Sequence, residues 1–299
     1  MKPLLTAVLL ALAGPGFAAE TAAFLDIGVG ARGLGMGGAY TALADDANAL
    51  YWNPAGLARL EKREVTASDA ELGRGTRLEF VGYAHPGSGG AFAGAVTYLS
   101  QDSIEGRDAL GRPTGGYSAS DAAVGGAYGL RTELVDLGVG VKYIRSHIGS
   151  AEAQGAALDL GARRELAAGP GRLILGASLR NLGYGLKYDV QRNDLPLRLA
   201  GGAAYVLPKG RTLALEVQNG PRGAGTSVGL GGELRVIEGV LVRLGYSTKS
   251  AASGGSGFDA AHGLTAGVGL EKAGFRFDYA AQAAGELGNT HRFTLSKRF

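Results

Sequence analysis

The sequence predicts an all-β membrane protein, a transmembrane antiparallel β-barrel of about 14 strands with an N-terminal hatch in its lumen. Three observations predict this class. Apolar and polar residues alternate from Glu64 to Phe299, the connections between predicted strands alternate in length, and a glycine-dense segment without regular periodicity, Phe24–Ala58, precedes the strands. We therefore expect three parts: a signal peptide (1–18), a hatch (19–63) and a barrel (64–299).

Residues 1–18 have the features of an export signal. Lys2 supplies a positive start, Leu4–Leu12 is an apolar run of about nine residues, and Gly16 and Ala18 are the small residues of a cleavage site. The alternative, a membrane-spanning helix, needs about 20 apolar residues. The run is too short for a span, so we expect cleavage after Ala18 and export of the mature chain.

The composition excludes several classes of function. Glycine accounts for 53 of 299 residues, well above the average of about 7%. The absence of cysteine excludes a disulfide scaffold, a thiolate metal site and a thiol nucleophile. A net charge of +3 is too small to indicate a nucleic-acid partner. The four histidines show no metal-ligand spacing, and we expect no cofactor.

Alternation fills the chain after the glycine-dense segment. In the last predicted strand, Phe293, Leu295 and Phe299 share one face, and Arg292 and Thr294 lie on the other. Such a sheet is apolar on one side only. A soluble sandwich would turn the apolar side inward, whereas a membrane barrel turns it outward. Strands longer than the usual 5–6 residues or so, with glycine and charge mixed on the polar face, favour the barrel.

The predicted strands number about fourteen, an even number as in single-chain bacterial barrels. They lie near residues 64–71, 76–85, 90–104, 117–131, 134–148, 151–165, 171–183, 195–207, 211–219, 225–237, 239–249, 259–271, 273–284 and 289–299. Connections after even-numbered strands are brief, and those after odd-numbered strands are mostly longer, for example Ile104–Gly116, Leu182–Asp194 and Thr248–Phe258. Short periplasmic turns and longer outer loops are typical of outer-membrane barrels.

The C-terminal strand ends on an aromatic residue. Phe299, with Phe293 and Leu295 in the same register, looks like the assembly signal that the outer-membrane insertion machinery recognises. Lys297 departs from the apolar residue usual in that register. The expected partners are therefore the barrel-assembly machinery and the lipids of the outer membrane.

The glycine-dense segment resembles the N-terminal hatch of the FadL-like superfamily of outer-membrane transporters, and most closely that of its PorV/PorQ-like branch. The matching residues are Ala31–Ala39 (ARGLGMGGA), Ala44–Ala47 (ADDA) and Asn53–Leu57 (NPAGL). The resemblance implies a monomeric barrel, occluded by the hatch, in the outer membrane of a Gram-negative-type bacterium. In the transporter branch hydrophobic molecules pass near the hatch, and in the PorV branch members receive cargo of type IX secretion.

Seven residues of the segment are candidates for gating or ligand contact: Arg32, Asp45, Asp46, Trp52, Asn53, Pro54 and Ala55. Asn53 is a good N-cap and Pro54 a good first helical residue, so a short helix should begin there, either as a purely structural cap or as part of a gate. The ionisable groups should pair with wall charges. The expected partners are Lys142, Arg163, Arg180, Arg198, Glu216, Glu233, Arg243, Arg276 and Asp278.

A dinucleotide fingerprint is also present, because Gly28–Gly33 matches G-x-G-x-x-G. That motif requires a strand before it and a helix opening on it. Gly35, Gly37 and Gly38 should prevent such a helix, and the segment follows an export signal. We therefore expect no nucleotide site.

These observations predict a channel or transporter for small hydrophobic molecules, with an apolar pocket between hatch and wall. The alternative is a PorV-like interaction protein that binds secreted cargo. An outer-membrane enzyme is a third class, but the sequence shows no catalytic constellation, and we expect none.

Overall fold

The computed structural model describes residues 20–73, 75–188, 191–222, 224–251, 263–283 and 289–299. The predicted signal peptide, residues 1–18, lies outside the described residues. Within the described part of the chain, no helix has both the length and the apolar character that a membrane span requires.

The chain after Arg63 forms an antiparallel meander that closes on itself. Its strands are β1 (Glu64–Glu71), β2 (Thr76–Gly87), β3 (Gly90–Arg107), β4 (Pro113–Leu130), β5 (Asp136–Ile148), β6 (Ala151–Ala168), β7 (Gly171–Tyr184), β8 (Leu186–Tyr188), β9 (Gln191–Asn193), β10 (Arg198–Leu207), β11 (Arg211–Gly220), β12 (Gly225–Ile237), β13 (Val240–Ser247), β14 (Leu264–Lys272), β15 (Phe275–Ala283) and β16 (Asn289–Arg298). All except β8 and β9 form a closed barrel, in which β7 pairs with β10 and β1 with β16. The closing register runs from Glu64 opposite Arg298 to Glu71 opposite His291. The predicted 14-strand antiparallel barrel is confirmed.

The apolar face of the sheet points outward. Val141 on β5 and Leu213 on β11 are 61% and 62% exposed, whereas Arg243 on β13 and Asp278 on β15 are 2% and 3% exposed. A soluble sandwich would show the reverse arrangement, so the period of two in the sequence belongs to a barrel with an apolar outside and a charged inside.

The barrel has two different ends. The turn end carries the connections 88–89, 131–135, 169–170, 208–210, 238–239 and 273–274, and the loop end carries the others. The expected difference in length has two exceptions. At the loop end β5 and β6 are joined by residues 149–150 alone, and at the turn end the connection 131–135 is as long as the loop-end connection 108–112.

Two predicted loops are in part strands. The stretch Ile104–Gly116, expected as a loop, continues the β3–β4 pairing to Arg107 opposite Pro113, because its residues go on forming ladder hydrogen bonds beyond the neighbouring strands. The stretch Leu182–Asp194 contains the small hairpin β8–β9. Of the third predicted loop, Thr248–Ala251 forms a helical turn and residues 252–262 lie outside the described part.

The segment 20–63 lies inside the barrel and crosses it from end to end. Thr21 donates its backbone N–H to the carbonyl of Asp194 at the loop end (2.8 Å), and Phe299 donates to the carbonyl of Arg63 at the turn end (3.0 Å). Between them are short helices at Ala23–Asp26, Ala31–Gly35, Ala49–Trp52 and Pro54–Arg59. The glycines were expected to prevent any helix that opens on Gly28–Gly33. One helical turn nevertheless forms there, and it ends where Gly37 and Gly38 take positive φ.

Candidate functional site

The Asn53 turn rests against glycines of the barrel wall. A Cβ at Gly138 on β5 would lie 2.1 Å from the Ala55 nitrogen, and one at Gly161 on β6 would lie 2.1 Å from Oδ1 of Asn53. Both distances are far below a van der Waals contact, so only glycine allows this approach. The inward-facing glycines of β5 and β6 thus form a seat for residues 53–55, which we call the glycine seat.

A second close approach lies on the other side of the lumen. A Cβ at Gly245 on β13 would lie 2.2 Å from the Gly37 nitrogen, and one at Gly231 on β12 would lie 2.5 Å from the Met36 carbonyl oxygen. The segment is therefore held between two patches of wall glycine. The sequence indicated that glycines lie on the polar face of the strands, but not which residues of the segment they contact.

Asn53 is the N-cap that the sequence predicts. Its Oδ1 accepts the backbone N–H of Ala55 (3.1 Å), and Pro54 begins the short helix. Its Nδ2 donates to the carbonyls of Thr41 (2.9 Å) and of Ala162 on β6 (3.1 Å). One fully buried side chain therefore closes the helix end and ties two parts of the segment to the wall.

Replacement of Asn53 separates these two roles. Asn53→Ala should lower the free energy of unfolding by about 1–3 kcal/mol, because it removes the cap and leaves buried carbonyls without donors. Asn53→Asp retains the cap acceptor but removes the donors, and it places a charge beside two carbonyls. The measurement is the urea midpoint of the refolded barrel in detergent. Equal midpoints for Asn53→Ala and the unmodified chain would contradict the assignment.

Arg32 joins the segment to a buried ionic network. Its guanidinium donates to Oε1 and Oε2 of Glu233 on β12 (3.0 Å each) and to Asp45 within the segment (2.7 Å). Glu233 also accepts from Nε of Arg243 (2.6 Å), and Arg243 reaches Asp278 (2.8 Å). Arg32 therefore meets one of its expected wall partners, and Asp45 pairs with Arg32 instead of a wall cation.

Asp46 makes its hydrogen bonds inside the segment. Its Oδ2 accepts from the Tyr40 hydroxyl (2.8 Å), and its Oδ1 accepts the backbone N–H of Asn48 (3.0 Å). The predicted ion pair between Asp46 and a wall charge is therefore wrong, since the nearer hydroxyl and amide satisfy the carboxylate.

Trp52 lies at the centre of the segment. Its Nε1 donates to the Val29 carbonyl (2.9 Å), and its ring meets those of Tyr40 and Tyr51 edge-on at 5.8 and 5.2 Å. A Cβ at Gly28 or Gly33 would lie 2.7 or 2.9 Å from this ring. The glycines of the nucleotide-like motif therefore make room for the indole. The lone tryptophan downstream of the glycine run was the available sequence signal for this packing.

A cavity of about 350 Å³ lies between Trp52 and the loop end, and we call it the loop-end cavity. Its lining includes Ala23, Asp26, Ile27, Gly28, Leu34, Gly37, Gly38, Tyr51, Trp52, Leu72, Arg180, Glu216, Gln218, Ser227, Gly229, Ser247, Lys249, Gln282, Thr290 and Arg292. The sequence predicts an apolar pocket here, but inward-facing charges of the wall strands make the cavity partly polar.

Asp26 holds the N-terminal helix to the wall beside this cavity. It pairs with Arg198 on β10 (2.9 Å) and with Lys249 after β13. Burial alone would raise the pKa of the Asp26 carboxyl, but Lys249 and Arg198 together lower it below the usual 3.8. The carboxylate is therefore ionised at neutral pH and pairs with both cations, and Arg198 has Glu20 as a second partner (2.8 Å).

A second cavity, of about 460 Å³, lies on the turn-end side of the segment. Its lining includes Arg32, Asp45, Arg59, Arg163 and Glu233. Residues 28–59 lie between the two cavities, since Trp52 borders the first and Arg32 and Asp45 border the second. Within the described ranges, no group of three or more His, Cys, Asp or Glu side chains is placed to hold a metal ion.

The residues of the predicted assembly signal lie on the outer face of the barrel. Phe293 and Leu295 on β16 and the terminal Phe299 are 43%, 52% and 64% exposed. Phe293 packs against the ring of Tyr279 on β15 at 5.0 Å. Lys297, the residue that departs from the usual pattern, places its ammonium 3.9 Å from the centre of the Phe275 ring.

Solved structures share this architecture. The chain matches no protein-family profile and no curated protein by sequence. The Pseudomonas putida toluene transporter TodX covers 90% of this chain and 96% of its own at 12% identity, with a TM-score of 0.62. A TodX deltaS2S3 mutant, described as a monoaromatic hydrocarbon channel, gives 0.65 at 14% identity over 91% and 99%. A Pseudomonas aeruginosa FadL homologue gives 0.55 at 12% identity over 95% and 99%. At such identities the likeness shows a common fold.

Proposed function

We propose that this protein is an outer-membrane channel for small hydrophobic molecules, with residues 19–63 as its hatch and residues 64–299 as its barrel. One observation carries the proposal: an internal segment divides the lumen of a closed, outwardly apolar barrel into two cavities. Small molecules enter the loop-end cavity from outside and leave at the turn end after the hatch shifts.

The outer face of the barrel supports the proposed location in the outer membrane of a Gram-negative-type bacterium. Exposed valine, leucine and aromatic residues cover it, as lipid contact requires. Phe293, Leu295 and Phe299 are proposed to be recognised by the barrel-assembly machinery, because they form an apolar row on the last strand. The closed sheet leaves no unpaired strand edge for oligomerisation, which supports a monomer.

The hatch residues have distinct proposed roles. Asn53, Pro54 and Ala55 hold the hatch in the glycine seat, and Arg32 and Asp45 connect it to the ionic network. Asp46 stabilises the stretch of the hatch between these two groups by accepting a hydrogen bond from the Tyr40 hydroxyl. Trp52 forms the boundary of the loop-end cavity and contacts the transported molecule.

The apolar part of the loop-end cavity supports a small hydrophobic molecule as the transported ligand. Ile27, Leu34, Tyr51, Trp52 and Leu72 line it. The similar structures include proteins described as a toluene transporter and a monoaromatic hydrocarbon channel. A volume near 350 Å³ is at the lower end of the range for small-ligand pockets.

A reversible lock on the hatch tests the proposal. A Cβ at Gly202 on β10 would lie 3.5 Å from Cβ of Ala42, a separation compatible with a disulfide, and the chain has no other cysteine. We expect cells with Ala42→Cys/Gly202→Cys to lose most uptake of labelled toluene under oxidising conditions and to regain it with a reductant. The single Ala42→Cys variant is the control. If cells that express the protein take up no more toluene than cells without it, the channel proposal is overturned.

The PorV-like role is the second proposal, and two features support it. The hatch residues Ala31–Ala39 and Asn53–Leu57 resemble that branch, and the β3–β4 hairpin extends beyond its neighbours with Leu110 at its tip 74% exposed. Loss of secreted cargo from the surface of a deletion strain, with hydrophobic uptake unchanged, would favour this role over the channel.

A further inference from the structure

Four arginines from the hatch and the wall meet at the second cavity, of about 460 Å³, which we call the turn-end cavity. Arg59 ends the last short helix of the hatch, and Arg131 follows β4. Arg163 lies on β6 and Arg172 on β7. All four line the cavity. Since β4 to β7 are neighbours in the barrel, their guanidinium groups approach the cavity from the same side of the lumen.

Three of these arginines share two carboxylates. Asp136 on β5 accepts from Nε and Nη2 of Arg59 (2.6 and 3.0 Å), and Glu165 on β6 accepts from Nη1 of Arg172 (2.7 Å). Arg163 lies between the two pairs, 3.7 Å from Asp136 and 3.4 Å from Glu165. Arg59 and Arg172 thus hold the carboxylates at short range, and Arg163 has none of its own.

Arg163 is the buried member of the group. It is 5% exposed, and its Nη1 has no hydrogen-bond partner among the described residues. Its Nε reaches the carbonyl of Ala42 in the hatch only at 3.4 Å. A buried guanidinium with an unsatisfied N–H group is costly, so Arg163 has the capacity to bind a further acceptor.

Arg131 adds another positive charge at the rim. Its Nε donates to the carbonyl of Ala58 at the end of the hatch (3.1 Å). In the described part of the chain, no carboxylate lies within ion-pair distance of Arg131. Its charge is therefore not matched by a fixed partner.

The other charges of the lining do not remove this excess. Arg32 is matched by Asp45 and Glu233, and Arg235 pairs with a carboxylate on β14. Glu61 is the one lining carboxylate without an ion pair among the described residues, and it is exposed. Even with Glu61 counted, the four arginines on the β4–β7 side have three carboxylates between them.

We propose that the turn-end cavity binds a phosphate group, as inorganic phosphate or as a small phosphate monoester, between Arg163, Arg131 and Arg172. Arginine binds phosphate oxygens through paired hydrogen bonds, and a phosphate has three strong acceptor oxygens for several guanidinium groups at once. The volume of the cavity is within the range for small-ligand sites.

The bound phosphate would fasten the hatch to the wall. Arg163 and Arg131 already donate to the hatch carbonyls of Ala42 and Ala58, so the site is complete only when the hatch is seated. A ligand that binds only this state stabilises it by mass action. The inference goes beyond the proposed function, because it concerns the opposite end of the lumen from the loop-end cavity and holds for any transported molecule.

Calorimetry tests the site. Inorganic phosphate and glycerol phosphate are titrated into the full mature barrel in a non-ionic detergent at neutral pH, with sodium chloride keeping the ionic strength constant. We expect saturable binding that chloride does not displace at equal concentration. Arg163→Gln and Arg131→Gln should each weaken phosphate binding by roughly 10- to 150-fold, as expected for loss of a charged hydrogen bond. Phosphate should also raise the urea midpoint of the unmodified barrel, but not that of Arg163→Gln.

Two further variants serve as controls. Arg163→Lys retains the charge and should retain part of the affinity for phosphate. Arg145→Gln removes a guanidinium from the exposed Arg145–Glu152 pair and should leave phosphate binding unchanged. The shift of the folded barrel on unheated gels shows whether each variant folds. Arg131 is exposed, so Arg131→Gln should fold and decides the question if Arg163→Gln does not.

Three results would overturn the site: no saturable phosphate binding, displacement of phosphate by chloride at equal concentration, or unaltered phosphate binding in Arg131→Gln and in every folded variant of Arg163. Loss of binding in Arg180→Gln alone would place the anion in the loop-end cavity and would also overturn the proposal. Binding of inorganic phosphate alone would identify the free ion as the ligand, and equal binding of glycerol phosphate would identify a monoester. Both results would support the site.

The channel proposal fails separately, because toluene uptake is not part of these measurements. Phosphate binding that depends on Arg131 and Arg163, without toluene uptake, would support the site and overturn the channel. Toluene uptake by a barrel that does not bind phosphate would do the opposite.

Discussion

Replacing Gly138 by valine is expected to displace the hatch and open the lumen to ions. The new Cβ would lie 2.1 Å from the Ala55 nitrogen and 2.2 Å from the Pro54 carbonyl carbon. These are backbone atoms that no rotamer change can move away, and overpacking of this kind costs about 1–3 kcal/mol or more. Valine is favourable in strands, so β5 itself is not weakened. The change therefore acts on the glycine seat and not on the barrel.

The conductance of single channels in planar bilayers measures this effect, together with the sensitivity of expressing cells to a large hydrophilic antibiotic. Gly201→Val is the matched control, because a Cβ at Gly201 on β10 has open space around it. We expect both variants to insert as folded barrels and only Gly138→Val to conduct strongly. A folded Gly138→Val barrel with the conductance of the unmodified protein would show that residues 53–55 do not close the lumen.

Replacing Glu233 by glutamine is expected to lower the free energy of unfolding by about 3–5 kcal/mol, the usual effect of removing one partner of a buried ion pair. Glu233 accepts three hydrogen bonds from Arg32 and Arg243, and its side chain is only 6% exposed. After the change, Arg32 and Arg243 keep one carboxylate each, Asp45 and Asp278, and Asp278 also pairs with Arg276, whose other partner is the partly exposed Glu271. The buried guanidinium groups of Arg32 and Arg243 would then lose the carboxylate that they share between hatch and wall.

Reversible urea unfolding in detergent, followed by the gel shift of the folded barrel, measures the loss. Glu152→Gln is the control, because the Arg145–Glu152 pair is exposed and should contribute less than about 1 kcal/mol. Arg32→Met in the Glu233→Gln background should recover part of the loss, since it removes one of the two cations that lose Glu233. A loss below about 1 kcal/mol for Glu233→Gln would mean that water replaces the carboxylate and that the network does not hold the hatch.

Local sequence patterns were sufficient for the strands and for the Asn53 turn. The alternation of apolar and polar residues along a strand, with its period of two, depends only on which face of the sheet meets lipid. This alternation predicted the barrel and its outward apolar side. The cap at Asn53 depends on residues two positions apart, and it formed as expected. Where local patterns were ambiguous, as in Ile104–Gly116, the neighbouring strand decided the structure by extending the ladder.

The partners of the hatch could not be obtained in this way. Arg32 and Glu233 are 201 positions apart, and Asn53 and Ala162 are 109 apart. Which inward residues meet depends on the stagger of the strands in the closed barrel, and the sequence contains no local signal for it. The same applies to Asp46, whose expected wall partner is replaced by Tyr40.

By itself, the sequence determined that this chain is an outwardly apolar barrel with a glycine-dense segment before it. Only the tertiary structure decided which glycines form the seat, and that Arg180 and Arg292 line the loop-end cavity. The physical reason is that side-chain alternation is a property of each strand, whereas contacts across a lumen arise only when closure brings distant strands around one segment.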